Sequence, residues 1–581
     1  MFFFMEYCLV ALLIVAVYLL PSFPSGWFQS AEQLLSRLAR RRSLAVFVVA
    51  VLALAARAAL LPNEPVPKPG FHDDFGYLLA ADTFAHGRLA NPTHPMWIHF
   101  ESIHINQKPT YMPMYYAAQG LVMALGQVIA GNPWIGVWLS AGAMCAAICW
   151  MLQGWLPARW ALLGGLLAVM RLGTFSYWVN SYCGGALAAT GGALVLGALP
   201  RIKQRPRLRE ALLMGLGLAL LANTRPYESL FFGIPIAVAA LVWILGKKRP
   251  PWGQLLPRIV LPLALLMAVT VAGMGYFFWR VTGSPFRIPY QVNLATYIAV
   301  PYFPWQPLNL KHVYHHAVLE KFYLHDWQMY FYYHDRRHPF DVLAEKLSDT
   351  YQFFLGPALA LPLVVLLAFN PLQFFRKLTT GKTGFLAAVC GATFIGLALP
   401  IYFIAQYAAP MTAAIYGLLL QSMRYLRLWR WRGEAAGLGL VRAIPVICFS
   451  LFLLRAAAPQ LHIPTPVERK HTWESESDQN LDRARALDQL KRYEGYHLVI
   501  VRYNEYHKTD NEWVYNEADI DAAKVVWARD MGEAGNAELI HYFPHRRLWL
   551  AEPDLAPPRL TPYPVLAEQA RREGESPRQY D

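Results

Sequence analysis

Two adjacent acids stand just after a hydrophobic stretch, in Phe71-His72-Asp73-Asp74-Phe75-Gly76-Tyr77. Acids placed at a bilayer surface usually face water, a cation or a substrate. Neighbouring carboxylates repel, so at least one of Asp73 and Asp74 is expected to hold its proton more tightly than usual unless a cation sits close. Such a group is suited to accepting a proton from a hydroxyl or an amine. Side chains one apart on a helix point about 100° apart, so one acid meets the reacting atom while the other orients, caps or binds a cation. The plainer alternative is a helix N-cap beside a solvated neighbour. Farther along the same loop, Gln107-Lys108-Pro109-Thr110-Tyr111-Met112-Pro113 carries a lone lysine. Lys108 is suited to hold a phosphate as a point charge, or to snorkel at an interface. Arg225, between an apolar stretch and Pro226, offers a second cation, whose fork matches phosphate oxygens. Glu228 either pairs with it structurally or joins it at a site.

Histidines crowd the first loop: His72, His86, His94, His99 and His104. With Asp73, Asp74 and Glu101 they leave a divalent metal open, although their spacing matches no compact ligand set. The region 280–350 repeats the theme with His312, His315, His316, His325, His334 and His338, joined by Arg287, Lys311, Arg336 and Arg337. Its many tyrosines and tryptophans suit sugar faces or an anionic headgroup, or equally a lipid-surface anchor.

These residues must be positioned by a membrane protein. The 581 residues are 56% hydrophobic and only 15% charged, with mean hydropathy +0.26, too apolar for an ordinary soluble chain of this size. Thirteen apolar stretches are visible, near 2–20, 44–61, 114–131, 133–152, 157–172, 184–200, 211–223, 229–246, 259–279, 351–369, 384–405, 409–423 and 439–457. Most approach the roughly 20 residues a helix needs to cross a bilayer. The expected fold is therefore a polytopic α-helical bundle of about twelve or thirteen spans over residues 1–458. The first stretch has no basic start and no clear cleavage site, and reads as a retained span. The six cysteines lie in or beside apolar stretches and imply neither a disulfide scaffold nor a metal site.

The net charge of +14 is parcelled into short clusters: Arg37 to Arg42, Arg201 to Arg209, Lys247-Lys248-Arg249, Arg376 to Lys382 and Arg424 to Arg432. Nucleic-acid binding needs one basic face, so it is excluded. Short basic loops stay cytoplasmic. That places loops 62–113 and 280–350, segments 223–228 and 406–410, and the tail on the outer side. Five apolar stretches lie between the first two basic clusters, where an even number is required, so one segment within 114–172 is expected not to cross. Residues 74–86 read as an amphipathic helix lying in the interface, N-capped by Asp73 or Asp74 and stopped at Gly87.

The tail, 459–581, is polar and alternates element types, which predicts a small extracytoplasmic α/β domain. His497 to Tyr503, Val525 to Trp527 and Arg547 to Leu550 read as strands, and 518–524 as a short helix. The end, 568–581, reads as frayed.

The chain resembles the GT-C superfamily of polytopic glycosyltransferases that use polyprenyl-phosphate-linked sugars, especially the bacterial branch related to aminoarabinose transferase and protein mannosyltransferases. The acid pair in His72-Asp73-Asp74-Phe75-Gly76-Tyr77, the Lys108-Pro109 motif with Tyr111-Met112-Pro113-Met114-Tyr115-Tyr116, and Gln406-Tyr407-Ala408-Ala409-Pro410 carry the resemblance over roughly residues 44–460. It implies inverting transfer at the outer face of a bacterial cytoplasmic membrane, to a lipid, glycan or protein acceptor. It also implies Asp73 as general base, Asp74 as the acid beside it, Lys108 on the donor phosphate, and Tyr111 and Tyr407 at the substrate. The extra first span departs from the pattern, and Ser176-Tyr177-Trp178-Val179-Asn180-Ser181-Tyr182 and 223–228 point to a separate subgroup, so donor sugar and acceptor stay open. Two other classes fit parts of the sequence: a flippase or transporter of lipid-linked sugar, and a non-catalytic envelope-assembly protein binding through its tail. The first expects mid-span charges and repeated halves; the sequence has few central charges, with Arg57 and Arg171 near span ends, and no obvious internal repeat.

Overall fold

Backbone amides in lipid have no water to bond, so apolar stretches of this length satisfy themselves as helices. The computed structural model describes residues 2–19, 25–247, 249–431, 433–465, 472–474 and 479–564. Lys248, Arg432 and the stretch 568–581 lie outside the described residues. Each of the thirteen apolar stretches contains a helix. Among the described residues, seven helices are long and apolar enough to cross a membrane, or eight if Pro339–Phe354 and Gly356–Phe369, bent by 112°, form one broken span. The remaining apolar stretches hold shorter helices. Ala117–Ala130, Ala158–Arg171, Leu208–Ala222 and Thr412–Leu426 have 14 or 15 residues. At 1.5 Å per residue they reach about 21–23 Å, short of a hydrocarbon core of about 30 Å. Ala117–Ala130 lies in the region where parity required a segment that does not cross.

Several basic clusters are helix ends rather than loops. Arg37 and Arg40 close Ser25–Arg40, and Arg201 and Lys203 close Gly185–Gln204, where cations favour the carbonyl end of the dipole. One buried ion pair stands inside the bundle, where low dielectric makes an unpartnered charge costly. Arg171 Nη1 donates to Glu6 Oε2 at 2.9 Å, and both residues are buried. Glu6 also accepts from the Ala358 N–H at 2.9 Å.

The helix carrying the acid pair, His72–Ala85, departs from expectation in two ways. Its N-cap is Phe71, with no side-chain cap bond, and both acids sit in its first turn. It is also buried on most sides rather than lying flat at an interface. Ala117–Ala130 covers one side, and Phe75 stacks on Tyr515 of the tail on another, ring centroids 4.1 Å apart. After the helix, β1 (Asn91–Pro92), β2 (Ile105–Asn106) and β3 (Thr110–Pro113) form a small sheet in the order β1-β3-β2. Region 280–350 is not a loop. It folds into helices including Pro289–Thr296, Trp327–Arg337 and Pro339–Phe354.

The tail forms a four-stranded sheet in the order β5-β4-β6-β7, from β4 (His497–Val501), β5 (Val525–Arg529), β6 (Arg547–Glu552) and β7 (Arg559–Pro562). The first three strands are parallel and β7 is antiparallel. Parallel strands covered on both faces read as continuous apolar runs. Leu498, Ile500, Val526 and Leu550 pack against Phe75, Leu79, Phe100 and Ile105. Val499, Val501 and Trp527 pack on Ala486 and Leu490 of the helix Leu481–Arg492. The expected helix at 518–524 is a turn, because Asp519 Oδ1 accepts the Ala522 N–H at 3.1 Å and diverts the backbone. The second helix is Gly532–Tyr542 instead.

Gly192, in Gly185–Gln204, faces the 3-10 helix Ala405–Met411, and a Cβ there would stand 2.0 Å from the Pro410 carbonyl oxygen. Gly192→Ala is expected to cost about 1–3 kcal/mol by overpacking and to lower the thermal midpoint in detergent. Gly233→Ala, with open space around its Cβ, should not lower it. Equal losses in both variants would contradict this packing.

Candidate functional site

The chemistry converges on a cavity of about 1220 Å³. Its walls come from the start of His72–Ala85, residues 223–228, the folded 280–350 region and residues 401–407. Tyrosines dominate the lining, and Asp73, Arg225 and Glu228 are charged groups facing it.

Asp73 is fixed by the hairpin that follows its helix. One carboxylate oxygen accepts from Tyr115 OH at 2.5 Å and from His104 Nδ1 at 3.1 Å. A carboxylate is an acceptor only, so Nδ1 carries the hydrogen. Nδ1 also lies 2.9 Å from Tyr115 OH. His104 holds a left-handed backbone, φ 63°, uncommon for a non-glycine residue, and its N–H donates to Tyr323 OH at 2.9 Å. A Cβ on Gly76 would stand 2.5 Å from Tyr115 Cε2, so the glycine is what lets that ring lie over the helix and reach Asp73. Burial alone would raise the Asp73 pKa, but the His104 bond and charge, the Tyr115 bond and the Arg225 charge outweigh it and hold it down at about 2.

Asp74 turns away from the cavity and is buried. It accepts the Gly70 N–H at 3.1 Å and the Tyr182 N–H at 2.9 Å, tying the helix start to the 176–183 segment. Burial raises its pKa to about 6, against the pull of those backbone donors and with a smaller push from Asp73. One acid of the pair does hold its proton tightly, then, but it is the one outside the cavity.

Arg225 is the N-cap of Pro226–Leu245, with Pro226 at the first position, where a missing N–H costs nothing. Its guanidinium lies over the Tyr407 ring, 4.3 Å from the centroid. Glu228, buried in the first turn of that helix, lines the same cavity. Of the two alternatives for Glu228, the ion pair with Arg225 does not form among the described residues, and the Tyr407 face lies against the guanidinium instead.

Lys108 and Tyr111 lie apart from this cavity. Lys108 is exposed at the tip of the β2–β3 hairpin, outside the cavity lining, with Nζ 4.1 Å from the Trp97 ring centroid. The register Ile105↔Pro113 and Asn106↔Met112 explains this. The hairpin carries its tip away from Asp73 and brings its open end, His104 and Tyr115, onto the carboxylate. Tyr111, in β3, is buried outside the cavity and donates to the Asn516 carbonyl at 3.1 Å, which makes it a contact with the tail domain.

The first-loop histidines are dispersed. His72 Nδ1 pairs with Tyr515 OH at 2.8 Å, His94 with Asp521 at 3.0 Å and His86 with the Asp82 carbonyl at 2.9 Å. Among the described residues, no group of three or more His, Cys, Asp or Glu gathers as a metal site. His104 is the residue that sequence reasoning did not single out. Nothing in its spacing separates it from the other histidines. Tyr115 carried a weak signal, inside the lysine-proline motif.

No family model and no curated protein matches the chain. Among solved structures it is similar to ArnT from Cupriavidus metallidurans. In the apo state the identity is 11%, covering 92% of this chain and 95% of that one, with a TM-score of 0.46. Bound to undecaprenyl phosphate the values are 10%, 88%, 92% and 0.48. It is also similar to the Archaeoglobus fulgidus oligosaccharyltransferase tethered to an acceptor peptide, at 11% identity, 88% of this chain, 68% of that one and a TM-score of 0.43. Similarity at this level assigns neither a family nor an activity.

Asp74 titrates at about 6 when folded, against 3.8 for the free group. The fold thus favours its protonated form. That contribution is complete below pH ~4 and lost as pH rises through about 6, on the order of 3 kcal/mol. Thermal unfolding in detergent between about pH 4 and 7 should show this decline in the wild type and a flatter profile in Asp74→Asn. Identical profiles would contradict the assignment.

Proposed function

We propose that the chain is an integral membrane glycosyltransferase that moves a sugar from a polyprenyl-phosphate donor to an acceptor hydroxyl or amine, with inversion. The observation that carries this is one aromatic cavity presenting an ionised carboxylate, Asp73, and a guanidinium, Arg225. The acceptor lone pair forms the new bond to the anomeric carbon as the carbon–oxygen bond to phosphate breaks. The bonding electrons leave with the phosphate, and the acceptor proton passes to Asp73. A phosphate is its own good leaving group, so the protein's tasks are to offset its charge, take one proton and hold both partners. Arg225 supplies the fork for the phosphate. Asp73 stays ionised at neutral pH and takes the proton late, when bond formation has made the acceptor acidic. The tyrosines offer faces for a sugar. Asp74, bonded to backbone N–H groups outside the cavity, positions the helix.

The distribution of basic clusters supports placing this cavity and the tail domain on the outer face of a bacterial cytoplasmic membrane. The lipid-linked sugar and the acceptor would meet there.

Asp73→Asn is expected to lower transfer in vesicles supplied with lipid-linked sugar by about 100- to 10,000-fold, with insertion and thermal midpoint retained. In His104→Ala, burial is no longer offset by the imidazole, so the Asp73 pKa rises. The acidic limb of the rate profile should then move toward neutrality, whereas the wild type has no Asp73 limb above about pH 4. Full transfer by Asp73→Asn would end the base assignment. Movement of labelled lipid without any acceptor would favour a flippase.

A further inference from the structure

A second cavity, of about 910 Å³, lies between Gly356–Phe369, Gly381–Ala398 and Thr412–Leu426. The helix Pro339–Phe354 separates it from the first. Glu345, Lys346 and Asp349 face the Asp73 cavity, while Leu347, Thr350 and Tyr351 face this one. Its walls are largely apolar, with Leu366, Phe394, Ile415 and Leu418 along their length. Lys377 and Arg430 are its charged lining residues, and no carboxylate lines it among the described residues. Neither cation forms an ion pair among the described residues. Lys377 Nζ lies 5.5 Å from the Tyr425 ring centroid, and Arg430 Nη1 is 3.4 Å from the Gly433 carbonyl oxygen.

The end bearing these cations has the character of a lipid–water boundary. Lys377 belongs to the short helix Pro371–Leu378, whose Leu372 and Phe375 are 85% and 55% exposed. Apolar side chains left uncovered beside cations mark a helix lying in the headgroup layer. Trp429 sits at the same end, and tryptophan concentrates at that depth.

We infer that this groove holds an anionic diacyl phospholipid, its phosphate between Lys377 and Arg430 and its chains along Leu366, Phe394 and Ile415. The chemistry demands both halves. Two exposed cations hold a free phosphate only weakly in water, and apolar walls need hydrocarbon against them. Basic pockets between membrane helices recognise lipid headgroups in this way. The donor lipid of the proposed reaction is a different ligand, because its sugar must reach Asp73 on the other side of Pro339–Phe354.

The test is the thermal midpoint of the full-length protein in neutral detergent with added phosphatidylglycerol, phosphatidylcholine, polyprenyl phosphate or inorganic phosphate. Phosphatidylglycerol should raise the midpoint more than phosphatidylcholine or inorganic phosphate, and any response to polyprenyl phosphate, which belongs to the Arg225 cavity, should persist when Lys377 and Arg430 are changed. The double variant Lys377→Gln, Arg430→Gln should lose at least half of that increment. Gly391→Phe provides an independent variant with both cations intact. Gly391 lines the groove, and nothing lies within 4 Å of an added Cβ, so the ring fills space meant for a chain and should also remove the increment. Equal stabilisation by phosphatidylcholine, an unchanged increment in both variants, a response to inorganic phosphate matching that to phosphatidylglycerol, or a polyprenyl phosphate response lost in the Lys377→Gln, Arg430→Gln variant would overturn the inference. None of these readings depends on transfer activity.

Discussion

A half-buried carboxylate that stays ionised must be held by donors, and Asp73 sets that requirement for the whole site. Desolvation pushes its pKa up. The structure meets the cost with Tyr115 OH, His104 Nδ1 and the nearby charge of Arg225. Each of these is itself supported. Tyr323 holds the left-handed His104 backbone, and Gly76 clears the space for Tyr115. The hairpin that presents both is gripped by the tail domain, where Ser102 Oγ donates to the Val514 carbonyl and Tyr111 OH to that of Asn516. The domain beyond the bundle is therefore part of how the acid is aimed, since its sheet shares a core with Phe75, Leu79 and Ile105.

The opposite wall is built from the bundle. Arg225 caps one helix and rests on Tyr407, in a 3-10 helix packed tightly against Gly192 through Pro410. The folded 280–350 region closes the space between them with tyrosines. Acid and cation thus belong to separate bodies, the tail-clamped helix and the membrane helices, which meet across one cavity.

What the sequence made legible follows from range. Asp73, Arg225 and Glu228 were singled out by type and local setting and Tyr407 by the resemblance, and all face the cavity, although nothing in their spacing could show that they meet. Lys108 stands away from Asp73 because linear proximity ignores a chain reversal: register in a hairpin decides which residues return to the acid, and here those are His104 and Tyr115. The parallel strands were legible as apolar runs. The helix expected at 518–524 was not, because a side-chain turn at Asp519 overrode it. Hydropathy located all thirteen membrane-type helices but not their lengths. Length depends on packing against neighbours that no window along the chain contains.

The central claim is that acid and guanidinium serve one reaction space, and the position of a donor phosphate tests it most directly. In a structure determined with polyprenyl phosphate, the phosphate oxygens should lie about 3 Å from the Arg225 guanidinium, inside the tyrosine-lined cavity, with Asp73 facing the open side where an acceptor would stand. A phosphate held instead by Lys108 beside Trp97, outside that cavity, would contradict the account.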